Sequence, residues 1–188
     1  MEQLLKWDKE LFLWLNSLGS PAFDSFWIMI TNRGSNVLIY LILTIYLGYK
    51  KSWKQTAYLL FFIGLLILFT DQLTNLFKFQ VARLRPCYNF EIQTLVRLVI
   101  PNCGGKYSFF SGHASNSFAL ALFFGRILRS YNDIIPYILI LIASIIAYSR
   151  VYIGVHYPLD LFCGALVGSF IGWLFHKGWE KIINLRIC

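Results

Sequence analysis

At 188 residues the chain most simply makes one domain, residues 1–188. It is 57% hydrophobic and 18% aromatic, only 14% of its residues are charged, and its mean hydropathy is positive; this is membrane-protein composition, not that of a soluble core. The net charge of +8 does not indicate nucleic acid, because the cations form no basic run and sit singly or in small groups at the ends of apolar segments, where lipid head groups meet them.

Leu4, Trp7, Leu11, Trp14, Leu15 and Leu18 recur at helical spacing, with Lys6, Asp8, Lys9, Glu10 and Asn16 mostly on other faces. This segment is too polar to span and is expected to lie in the interface as an amphipathic helix, ended by Gly19-Ser20-Pro21. No cleavable signal peptide is read here, since charged and amide side chains precede any apolar run and no small-residue cleavage site follows.

Five spans are then expected. In the first, residues 23–30 are apolar, Thr31-Asn32-Arg33-Gly34 interrupts, and residues 36–49 resume, so the crossing is placed mainly over residues 34–49. Lys50, Lys51 and Lys54 follow and mark a cytoplasmic end. The second span, residues 56–77, turns polar at Asp71, Gln72, Thr74 and Asn75, which reads as hydrogen bonding between helices ahead of support for a polar site. The third covers residues 114–128, with Arg126 and Arg129 at its end. The fourth covers residues 134–148 after the start signal Asn132-Asp133, and the fifth residues 158–176, followed by Lys177, Lys181 and Arg186. Basic groups after spans one, three and five place those ends and the C-terminus in the cytoplasm. Gly164, Gly168 and Gly172 repeat a four-residue spacing that runs back to Asp160 and His156 and suits close packing against a neighbouring helix. The expected fold is an all-α polytopic membrane helix bundle of about five spanning helices plus the N-terminal interfacial amphipathic helix, six helices in total.

Residues 86–110 form the only long hydrophilic connection, of the kind that often carries function. In an oxidising compartment a disulfide between its Cys87 and Cys103 would close a loop of about 17 residues, worth roughly 3 kcal/mol in the chain-entropy model; two free thiols fit the sequence equally. Cys163 and Cys188 are read as unpaired.

Three polar clusters fall on the face opposite the basic ends. Lys78-Phe79-Gln80-Val81-Ala82-Arg83-Leu84-Arg85-Pro86 sets Lys78 and Arg85 seven residues apart, on one face if the second helix continues outward, with Arg83 pointing elsewhere toward head groups or solvent. Ser108-Phe109-Phe110-Ser111-Gly112-His113-Ala114 precedes the third span, with Ser111 as an N-cap and a helix start suited to phosphate. The stretch from Ser149 to Asp160 puts Arg150, His156 and Asp160 within twelve residues; Pro158 fits a first helical turn, and Asp160 lies one turn beyond His156, close enough to hold its imidazole. Taken alone, an interfacial turn with a snorkelling arginine accounts for it. Together the clusters supply three cations, an anion-binding helix start, two histidines and an aspartate, which are the groups for phosphoryl transfer. No carboxylate cluster or His/Cys spacing suits a metal, so neither metal nor cofactor is expected.

Lys78-x6-Arg85-Pro86, Ser111-Gly112-His113 and Ser149-Arg150-x5-His156-x3-Asp160 resemble, in order, spacing and membrane placement, the three-part signature of the type 2 phosphatidate phosphatase (lipid phosphate phosphatase) superfamily, from the second span to the fifth. The resemblance implies that His156 is the nucleophile and forms a phosphohistidine, that Asp160 holds its other ring nitrogen, and that His113 protonates the leaving oxygen and then helps activate water. It assigns the phosphoryl oxygens to Lys78, Arg85, Arg150, the Ser111 hydroxyl and the Gly112 amide. One departure is Phe110, where the family usually has proline. The implied protein is a compact bacterial enzyme of the inner membrane with its site on the non-cytoplasmic face. Undecaprenyl diphosphate is the leading substrate, ahead of phosphatidylglycerophosphate, phosphatidate and lipid A phosphate. A lipid-directed phosphotransferase and a silent lipid-binding protein are the alternatives; both histidines and Asp160 speak against the second. Membrane lipids are the expected surroundings, and no nucleic acid partner is expected.

Overall fold

The computed structural model describes residues 2–50 and 52–184, so that Lys51, Arg186 and Cys188 lie outside the described residues. The chain forms α1 (Glu2–Ser17), α2 (Pro21–Thr31), α3 (Arg33–Lys50), α4 (Trp53–Val81), α5 (Gly112–Leu128), α6 (Ile135–Tyr152) and α7 (Pro158–Asn184), with one 3-10 turn at Pro86–Tyr88. Among the described residues the bundle is all-helical, with seven α-helices against the six that the sequence predicts. The difference lies in the first span, where α2 and α3 meet at a bend of 52°. Asn32 causes the break: its backbone is extended, and its side-chain oxygen accepts the Gly34 N–H at 2.7 Å, an alternative to the helical ladder. Residues 23–30 therefore form their own helix, started by Pro21 in its first turn.

Helices α4, α6 and Pro158–Ile182 of α7 are each long and apolar enough to cross a membrane, and the bent α2–α3 pair makes a fourth candidate. At 17 residues α5 is shorter, and it is enclosed by the others, with both Phe123 and Phe124 fully buried. The expectation of about five spans is met by these four and the enclosed α5 only if α5 is counted. Around α5, Leu47, Leu59, Phe62 and Trp179 close the main core. Helices α6 and α7 run further than expected, to Tyr152 and Asn184.

The α5–α7 contact sets the architecture of the site. A Cβ on Gly164 would fall 2.7 Å from the Ser111 carbonyl oxygen, and Cβ atoms on Gly168 and Gly172 would collide with the carbonyls of Ser115 and Ala119. The three contacts step forward together along both helices, so α5 and α7 run parallel and start at the same end of the bundle. Only glycine permits this approach. Asp71 accepts a hydrogen bond from Asn116 Nδ2 at 2.8 Å, tying α4 to α5 as the polar end of the second span predicted.

Helix α1 turns its polar side inward. Asp8, Phe12 and Asn16, spaced by four, are buried, while Leu4, Trp7, Leu11, Trp14 and Leu18 are exposed. That arrangement is the reverse of a helix on a soluble protein and suits one lying in a bilayer interface.

Candidate active site

The three clusters are brought together by backbone pairing at the common end of α5 and α7. Lys78 lies in the last turn of α4, which stops at Val81 with Ala82 in the left-handed region (φ 51°). The shared face expected for Lys78 and Arg85 requires the helix to continue outward; it stops, so Arg85 lies off α4. It arrives instead through a short antiparallel pairing of Leu84 with Tyr107, in which Arg85 N–H donates to the Lys106 carbonyl (3.1 Å) and Ser108 N–H to the Arg83 carbonyl (2.8 Å). The Arg85 guanidinium then donates to the carbonyls of Cys103 (Nη1, 2.5 Å) and Tyr107 (Nε, 3.3 Å). Cys87 and Cys103 are joined in a disulfide, with Cα atoms 6.5 Å apart. Cys163 is a free thiol.

The same pairing leads into Ser111, the N-cap of α5, whose hydroxyl accepts from Ala114 N–H (3.4 Å) and whose own N–H donates to the Asp160 carbonyl (3.0 Å). That bond ties the start of α5 to the start of α7. Gly112 packs on Thr74, since a Cβ there would lie 3.3 Å from the Thr74 methyl.

After α6 the chain turns through Gly154, whose φ of +86° and closeness to the Arg97 carbonyl exclude a side chain. Val155 and His156 N–H groups both return to the Arg150 carbonyl, at 3.1 and 3.3 Å. His156 is 2% exposed and Asp160 is fully buried. The His156 Nδ1–H donates to Asp160 Oδ2 (3.4 Å), which also accepts the Tyr157 N–H (3.0 Å), leaving Nε2 as the ring nitrogen not engaged by the aspartate. Thr31, whose only mark in the sequence is that it interrupts an apolar run, holds two site residues at once. Its hydroxyl accepts from Arg150 Nη1 (2.5 Å) and its carbonyl from His113 Nε2–H (3.2 Å). The bend at Asn32 is what frees that carbonyl from the helical ladder.

The arginines divide into two kinds. Arg97 forms an ion pair with Asp24, and Arg83 with both Asp8 and Asp160. Contrary to the expectation from sequence, Arg83 faces neither head groups nor solvent, because two carboxylates from separate helices bind its guanidinium. Among the described residues Lys78, Arg85 and Arg150 form no ion pair, and Arg150 keeps a buried Nε without a partner. Arg85 and Arg150 are buried and Lys78 half-buried, and cations drawn from water without acids are costly, so the cluster suits an anion. The three are close enough to act on His156: burial, then Arg85, Arg150 and Lys78, hold its imidazole well below the ordinary histidine value. The native ring stays neutral, whereas in the unfolded chain it takes up a proton below pH about 6.5. Its contribution to stability is therefore intact above that pH and lost as the pH falls through it. Thermal melts in detergent are expected to show a Tm that declines below pH about 6.5, and less steeply in His156→Gln; equal slopes overturn the assignment.

A bundle that gathers unpaired cations around an aspartate-braced histidine at one membrane end has the construction of an integral-membrane phosphohydrolase. The family model of the PAP2 superfamily matches residues 55–183, and the chain belongs to that superfamily. It is 35% identical over 178 residues to the lipid A 4'-phosphatase of Porphyromonas gingivalis, covering 94% of this chain and 75% of that one. Over 172 residues it is 38% identical to the lipid A 4'-phosphatase of Bacteroides thetaiotaomicron, covering 90% and 75%. The crystal structure of the transmembrane PAP2-type phosphatidylglycerolphosphate phosphatase from Bacillus subtilis shares the fold, with a TM-score of 0.77 at 19% identity over 97% of this chain and 89% of that one. The chain is thus a membrane lipid phosphatase that hydrolyses a phosphate monoester or diphosphate.

Proposed function

We propose that this enzyme removes phosphate from a lipid A phosphate, through a phosphohistidine on His156. The similarity to two lipid A 4'-phosphatases supports this substrate over undecaprenyl diphosphate, which the resemblance to compact bacterial members puts first. The observation that carries the chemistry is the set of cations without acidic partners beside a buried histidine held by Asp160.

In this reading His156 Nε2 attacks phosphorus while the bond from phosphorus to the lipid oxygen breaks. Asp160 stabilises the charge that develops on the ring. Once the bound phosphate anion has drawn His113 into its imidazolium form, with Nε2–H on the Thr31 carbonyl, Nδ1–H gives its proton to the leaving lipid oxygen; the neutral Nδ1 then takes a proton from the water that attacks phosphorus as the bond to His156 Nε2 breaks. Lys78, Arg85, Arg150, the Ser111 hydroxyl and the Gly112 amide hold the phosphoryl oxygens. Residues 1–188 act as a single membrane-embedded domain. The site faces away from the cytoplasm and the C-terminus lies within it, in a bacterial inner membrane; the disulfide at the site end of the bundle suits an oxidising compartment.

Phosphate release from purified protein on lipid A, undecaprenyl diphosphate, phosphatidylglycerophosphate and phosphatidate tests the substrate. Lipid A is expected to give a kcat/KM at least about tenfold above the others, a difference of roughly 1.4 kcal/mol in transition-state binding. A preference for undecaprenyl diphosphate overturns it, and loss of activity on chelation overturns metal-free chemistry. Reducing the Cys87–Cys103 bond, or making Cys87→Ser, loosens the carbonyl that holds Arg85. The KM is expected to rise about tenfold with little change in kcat, the scale of one weakened charged hydrogen bond. An unchanged KM shows that the loop does not position Arg85.

A further inference from the structure

We propose that helix α1 is part of the catalytic apparatus, because Asp8 and Arg83 act as positioning residues that fix the Asp160 carboxylate and, through it, His156. The inference rests on the reading of His156 as the nucleophile.

Asp160 divides its two oxygens. Oδ2 faces His156 and the Tyr157 amide, while Oδ1 accepts from Arg83 Nη1 at 2.9 Å. The other terminal nitrogen of Arg83, Nη2, donates to Asp8 Oδ2 at 2.6 Å, and Asp8 Oδ1 accepts the Leu159 N–H at 2.9 Å. One planar guanidinium thus joins a carboxylate on α1 to a carboxylate on α7, a bridge that a lysine ammonium does not reproduce. Both ends of Arg83 are fixed. Its carbonyl accepts from Ser108 N–H, and its guanidinium lies 3.8 Å over the Tyr157 ring, which meets Phe12 of α1 edge-on with centroids 5.4 Å apart. With both terminal nitrogens committed to aspartates, Arg83 differs from Lys78, Arg85 and Arg150, and it is not placed to take a phosphoryl oxygen.

Two turns further along α1, Asn16 completes the brace. Its Nδ2 donates to the carbonyls of Val151 and Tyr152 at 3.1 and 3.0 Å, and its Oδ1 accepts the Arg97 N–H at 2.8 Å. Asp8 therefore holds the start of α7 and Asn16 the end of α6. These are the two ends of the short loop that carries His156, and α1 lies across it as a strap about 12 Å long between the two anchors. The opposite face of α1 is the exposed stripe of Leu4, Trp7, Leu11, Trp14 and Leu18, so the seat of α1 in the bilayer interface bears directly on the nucleophile.

The test uses the full chain, assayed with a lipid phosphate and with inorganic phosphate as competing product. Asp8→Asn and Arg83→Lys are each expected to lower kcat about 10- to 100-fold, the scale for losing an outer partner that orients an active-site histidine, while the KM and the phosphate inhibition constant stay near the wild type. Asp8→Glu, which keeps the carboxylate, is expected to recover most of kcat; a glutamate variant as slow as the asparagine variant overturns the inference. Where Asp8→Asn does not purify folded, Arg83→Lys supplies the same reading. Full kcat in either variant, or a weakened phosphate inhibition in Arg83→Lys at unchanged kcat, also overturns it. His156→Ala separates the two levels: turnover in that variant overturns the phosphohistidine reading, whereas a silent His156→Ala beside a fully active Asp8→Asn overturns only the role of α1.

Discussion

Replacing His156 with alanine is expected to lower phosphate release by roughly 10,000-fold or more, the scale on which an activated nucleophile is lost. In the proposed mechanism the ring nitrogen that Asp160 leaves free is the attacking atom, and His113, turned to the Thr31 carbonyl, does not replace it. The cations around it are untouched, so inorganic phosphate should still inhibit any residual reaction at about the wild-type concentration, because binding groups and nucleophile are separate. The fold should also hold. Asp160 keeps the Tyr157 amide and the Arg83 guanidinium, and the loop keeps its bonds to the Arg150 carbonyl. Phosphate release measured against lipid concentration, with a melt of the same sample, makes the comparison. A folded His156→Ala that turns over within tenfold of the wild type would falsify the mechanism.

The second large effect lies away from the chemistry. Gly168→Val is expected to destabilise the protein by at least about 3 kcal/mol, the upper end for overpacking a filled interior, which corresponds to a fall in Tm of roughly 6–12 °C. A Cβ at Gly168 strikes the Ser115 carbonyl, which is backbone and unable to turn aside. Helices α5 and α7 must then separate, and the bond from Ser111 N–H to the Asp160 carbonyl joins their first turns. Phosphate release should fall together with stability. A control at Gly64, where a Cβ meets nothing within 4 Å, is expected to shift Tm by no more than about 2 °C, as for ordinary surface positions. Equal effects at the two glycines show that the α5–α7 approach is not what limits stability.

Much of the site could be read from the sequence because its chemistry is local. Asp160 one turn beyond His156, Ser111 at a helix start and the four-residue glycine spacing each follow from helical geometry over a few residues. The same reasoning failed where the chain left the helix. The seven-residue spacing of Lys78 and Arg85 puts them on one face only if the helix continues, but α4 ends at Val81 and a pairing with residues 106–108 delivers Arg85. Thr31 gave no signal beyond breaking an apolar run, because its role depends on a bend that exposes its carbonyl to a histidine 82 residues away. Arg83 was set aside for a related reason. Its two partners lie 75 and 77 residues distant, and no local pattern marks a carboxylate that far along the chain.

The amino-acid sequence by itself determined that this is an all-helical membrane protein, most of the stretches apolar enough to span, and which histidines, cations and carboxylate lie in clusters suited to a phosphate site. Those properties are set by composition, by periodicity and by side chains within a turn or two of one another. Only the tertiary structure decided that the first span is two helices, that Arg85 is held by the carbonyl of a disulfide-bonded cysteine, and that α1 reaches the nucleophile through Asp8 and Arg83. Each of these depends on where distant backbone groups come to rest, and helix packing settles that, not local preference.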